Sequence, residues 1–84
     1  MIHIGKIIEE EFRRQERSVS WFASKLCCDR SNVYSIFRRS SIDTDLLLRI
    51  SNVLGRNFFE VYMDEVIGVN YFPHNRDLYK HAND

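Results

Sequence analysis

The chain has 84 residues, 44% of them apolar and 13% aromatic, and its twelve Lys+Arg balance its twelve Asp+Glu. That is ordinary composition for one small globular domain and too apolar for a chain disordered throughout. Three Gly and one Pro disfavour a turn-rich all-β fold, and no apolar run approaches the ~18 residues of a membrane span.

The residues then read as short helices in succession. Ile4, Ile7, Ile8 and Phe12 recur at helical spacing, which predicts a first amphipathic helix from about Ile4 to Arg17. Its acids lie toward the start and its arginines toward the end, as the helix dipole favours. Ser18 offers a hydroxyl cap for a second helix, about Val19 to Leu26, burying Phe22, Ala23 and Leu26. After Cys27-Cys28, Asp29 can start a third helix with Val33, Ile36 and Phe37 as its apolar stripe. Asp43 can cap a fourth helix carrying Leu46, Leu47, Ile50, Val53 and Leu54, which Gly55 stops. Phe58, Phe59, Val61 and Tyr62 predict a fifth, short helix. The fold expected is an all-α five-helix bundle over residues 1–63. Residues 64–84 form a tail, with Val66–Phe72 as a strand or an extended arm and the remainder polar.

Charge is uneven along this series. Residues 1–12 carry Lys6 against three glutamates, residues 13–56 carry nine Lys/Arg against four acids, and residues 57–84 carry Arg76 and Lys80 against five acids. The middle block is therefore basic and dominated by arginine, whose planar fork suits phosphate and guanine. A solvated helical surface explains the same charges equally well. The adjacent Cys27 and Cys28 lack the geometry for a simple disulfide and are expected as reduced thiols, one or both filling core space. None of His3, His74 and His81 stands at ligand spacing to them, so neither a metal nor a cofactor is expected. Residues 1–9 reach an acid too soon for a signal-peptide core, so a cytoplasmic location is expected.

The informative stretch is Ser18 to Arg39. Two short helices joined by a tight connection suit a helix-turn-helix, and small Ala23 suits their crossing. The stripe opposite the third helix's apolar residues is Arg30, Ser31, Tyr34, Ser35 and Arg38, each able to hydrogen-bond a base edge or a phosphate. Phe22, Ala23, Leu26, Val33 and Ile36 together resemble the helix-turn-helix of Cro and phage-repressor-type DNA-binding domains. Leu46–Gly55 and Phe58–Tyr62 resemble the helices that follow it in that family, so the likeness covers about Ile4 to Tyr62. Trp21-Phe22-Ala23, Cys27-Cys28-Asp29-Arg30 and Ile42–Leu47 look like a subgroup of short bacterial regulators. The departure is Cys27, where the family often has glycine at positive φ. Either the turn is shaped differently or packing of Cys27 offsets the strain.

The resemblance implies a bundle of the lambda-repressor-like type that reads the DNA major groove with the helix around residues 29–38. It implies base contacts from Arg30, Ser31, Tyr34 and Ser35, and phosphate contacts from Ser18, Asn32, Arg38, Arg39, Ser40 and Ser41. Trp21 is expected to pack rather than to touch DNA. The partner implied is double-stranded DNA. Since one such domain covers limited duplex, a second copy of the chain is expected too, with Phe58, Phe59, Tyr62, Tyr71 and Phe72, from the fifth helix and the tail, as candidate contacts between copies. The alternative is an antitoxin-like or adaptor module that binds another protein. An enzyme is not expected, since no spaced acid–base pair or phosphate-cradling glycine loop is present.

Overall fold

In the computed structural model, which describes residues 1–66, the chain is an all-α bundle of five helices. They are α1 (Ile4–Arg14), α2 (Val19–Leu26), α3 (Arg30–Arg38), α4 (Thr44–Leu54) and a 3₁₀ helix (Phe58–Glu65). Among the described residues there is no strand, and no helix is long and apolar enough to cross a membrane. The arm expected at Val66–Phe72 lies, beyond Val66, outside the described residues.

Local chemistry sets most of the boundaries. The Ser18 hydroxyl accepts the Trp21 amide at 3.0 Å, and the Asp43 carboxylate accepts the Leu46 amide at 2.8 Å, so α2 and α4 begin where expected. Asp29 stands at the start of α3 without a side-chain capping bond. Gly55, at φ 70°, ends α4 in the left-handed conformation. The first helix is shorter than expected, stopping at Arg14 rather than Arg17. Glu16 turns left-handed at φ 57°, and the Gln15 side-chain Nε2 donates across to the Leu54 carbonyl at 2.7 Å. The left-handed Glu16 ends α1 where periodicity alone continues it, and the Gln15 side chain ties that end to α4.

The fifth helix is 3₁₀ and runs to Glu65, two residues past the expected boundary. Its amide at Phe58 donates to the buried Ser51 hydroxyl at 3.2 Å, which fixes its start against α4. In this geometry residues three apart eclipse, so Phe58 stands over Val61 and Phe59 over Tyr62.

The core is centred on Phe12, Phe22 and Phe37, one from each of the first three helices. Ring centroids lie 5.2 Å apart for Phe12–Phe22 and 5.3 Å for Phe12–Phe37. Ile8, Val33, Ile50 and Phe58 are fully enclosed around them. Ala23 is buried on α2, which packs on both α3 and α4. The start of α1 meets the end of α3 through main-chain bonds: Ile4 N–H donates to the Ser40 carbonyl at 3.2 Å, and Gly5 N–H to the Arg39 carbonyl at 2.9 Å. Donors left over at one helix end thereby satisfy acceptors left over at another.

Candidate nucleic-acid interface

The sequence predicts that α2 and α3 share a tight connection, and three residues, Cys27 to Asp29, make it. Cys27 adopts φ 56°, ψ 46°, the left-handed conformation in which glycine is usual. Cys28 N–H donates to the Ala23 carbonyl at 3.0 Å and Cys27 N–H to the Ser24 carbonyl at 3.2 Å, the paired closure of a Schellman turn. The turn thus keeps the glycine geometry, and packing of Cys27 does not offset the strain, because its side chain is exposed. Only Cys28 serves as a partial core residue. Burial, then the neighbouring Asp29 charge, push its thiol above the ordinary range, so it stays protonated and weakly nucleophilic.

This turn sets α3 with Val33, Ile36 and Phe37 buried and the opposite face outward. Arg30, Ser31, Tyr34 and Arg38 are exposed, while Ser35 is half-buried. Tyr34 is 42% exposed and meets the Phe37 ring edge-on, with centroids 6.5 Å apart. Its ring packs on its own helix while the residue stays open to solvent.

The two flanks of α3 differ. On the α1 side, Tyr34, Phe37 and Arg38 line a shallow depression with His3, Lys6 and Glu9. On the α4 side, Asn32, Ser35 and Arg39 line a groove with Leu46 and Arg49. Arg38 and Arg39, adjacent in sequence, therefore stand on opposite sides of the helix. The reason is local: Arg38 is the last helical residue, whereas Arg39 is extended at φ −83°, ψ 133°. Among the described residues no carboxylate pairs with Arg30, Arg38 or Arg39.

Ser18 is exposed at the start of α2. Its oxygen is used as an acceptor within the cap, which leaves its proton to donate outward. Ser40 and Ser41 are exposed but lie beside Met1, Ile2, Tyr62 and Glu65, away from the two flanks of α3. Trp21 is half-buried against the core, with the Arg17 guanidinium 4.3 Å above its ring, which makes it a packing residue as expected. Phe58, expected between copies of the chain, is fully enclosed in its own core and has no surface to offer. Tyr71 and Phe72 lie outside the described residues.

Sequence reasoning missed two cations here. Lys6 stands in the first turn of α1, where the helix dipole disfavours a positive charge. That misfit is the signal that would have marked it. Arg49 was counted in the basic block without a place, and its guanidinium donates to the Leu26 carbonyl at the end of α2. Comparison with protein-family models, with curated proteins and with solved structures returns no match.

Proposed function

We propose that the chain is a non-enzymatic, sequence-specific DNA-binding regulator of transcription that acts in the cytoplasm. It reads the major groove with α3 in a bundle of the lambda-repressor-like type. The observation that carries the reading is the outer face of α3. Arg30, Ser31, Tyr34 and Arg38 are exposed there, all can hydrogen-bond, and cations lie on both flanks. In this arrangement Arg30, at the helix start, meets a base edge. Arg38 with Lys6 meets one phosphate strand, and Arg39 meets the other. One such unit covers limited duplex, so a homodimer on two half-sites follows.

Binding selection on random duplexes gives the operator, and titration of two variants then tests the assignment. Arg30→Ala is expected to cost about 1–3 kcal/mol and to relax preference at one position per half-site. Arg38→Ala is expected to weaken binding to all sequences alike and to lower the salt slope by about one unit per site. Loss of binding in neither variant, with folding intact, overturns the proposal. The second reading, a protein-interaction module, is favoured by the exposed apolar Leu48, Met63 and Val66. Pull-down of another protein by a chain indifferent to DNA would establish it.

A further inference from the structure

We propose that the groove between α3 and α4 is a binding site for a small amphiphilic carboxylate. The groove encloses about 230 Å³, less than the ~300 Å³ at which drug-sized pockets begin. Its apolar surface comes mainly from the half-buried Leu46 and Cys28, with the edges of the buried Leu26 and Ile36 beneath, and its polar surface from Asn32 and Ser35. Arg39 and Arg49 supply its charge, and no Asp or Glu among the described residues lines it.

Both guanidiniums lack a carboxylate partner among the described residues. Arg49 is held in place by its bond to the Leu26 carbonyl, which occupies one of its five N–H groups. Two cations without an anion, next to an aliphatic floor, call for a ligand with one anionic oxygen group and a short hydrocarbon part. A bare phosphate satisfies the cations and leaves Leu46 and Cys28 uncovered. An alcohol of the same length covers the floor and leaves the cations unmatched. The carboxylate head on a short chain does both. The site shares Arg39 with the DNA reading, but it is tested without DNA, so its failure and the failure of that reading are distinguishable.

The test is nuclear magnetic resonance titration of the isotope-labelled full chain with hexanoate, hexanol and inorganic phosphate. Hexanoate is expected to shift the amides of Cys28, Asn32, Ser35 and Ile36 saturably. Hexanol and phosphate are expected to bind about tenfold more weakly or not at all. Arg39→Gln, at an exposed position whose side chain makes no hydrogen bond among the described residues, should weaken hexanoate about tenfold, the loss of one charge-assisted contact. Arg49→Lys, which keeps the charge but loses the fork, should weaken it as well. The proposal is overturned if hexanoate produces no saturable shifts at these amides, or if hexanol or phosphate matches it. It is equally overturned if Arg39→Gln binds hexanoate as the parent does.

Discussion

A carbon atom added at Gly5 would lie 2.6 Å from each of the carbonyl oxygens of Phe37 and Arg39, and nearer still to that of Ile36. Main-chain atoms cannot rotate away, so the helices must part. Gly5→Ala gains roughly 1 kcal/mol of helix propensity and loses more through the clash and the two disturbed amide bonds. A net destabilisation of roughly 2–4 kcal/mol is expected, measured by urea denaturation. Glu11 is the other residue whose neighbours decide its behaviour. It is buried and accepts from Arg14 and Gln15, with Arg56 at 3.3 Å. The Arg14 hydrogen bond, then that of Gln15, hold its carboxyl down from 4.5 to about 2 against the opposing effect of burial, with the charges of Arg14 and Arg56 adding to the lowering. Above pH 4.5 the carboxylate is charged in both folded and unfolded chains, and the network contributes in full. As pH falls from 4.5 toward about 2 the unfolded chain takes up a proton that the folded chain refuses, so that contribution is lost. Glu11→Gln should therefore lower Tm at pH 7 and show a flatter decline through this window. Thermal melts of both proteins between pH 2 and 7 check it.

At the scale of elements, the left-handed Cys27 is a local conflict between residue and backbone. Its side chain is exposed, so replacing it forfeits no packing. Cys27→Gly relieves strain of about 1–2 kcal/mol and gives back part of it as unfolded-chain entropy, so a net gain of about 0.5–1 kcal/mol is expected. Denaturation curves with unchanged slope would show it. The position of this turn was legible in the sequence, because five apolar residues placed both helices around it. Its left-handed geometry at an exposed Cys27 was not, since nothing local marks a cysteine for positive φ. Also legible were α2 and α4, whose caps Ser18, Asp43 and Gly55 are written locally. The end of α1 was not, because it comes at a left-handed Glu16, a non-glycine residue that carries no local stop signal. The 3₁₀ form of the last helix was hidden as well. Phe58, Phe59, Val61 and Tyr62 fit a three-residue repeat as well as a 3.6-residue one. Within the candidate site, the outward face of α3 followed from its apolar stripe. The divergence of Arg38 and Arg39 did not, since it depends on where the backbone leaves the helix.

At the scale of the molecule, the enclosed residues run from Ile4 to Phe58, and the 3₁₀ helix closes by Glu65. Truncation after Val66 should leave Tm within about 4 °C of the parent, the least shift that 1 kcal/mol produces in a domain this size. Circular dichroism checks this, and sedimentation of the same pair reports whether residues 67–84 contribute to self-association. A weaker dimer with an intact bundle is expected. The junction of α1 with α3 carries a different consequence. It consists of two amide groups, the carbonyls that receive them, and a glycine with no side chain to obstruct their approach. Main-chain atoms are the same whichever amino acid bears them. Mutations at residues 30, 31, 34 and 38 therefore alter what α3 displays without rewriting what seats it. A lineage built on this chain can diverge in what the outer face of α3 presents while inheriting its scaffold unchanged.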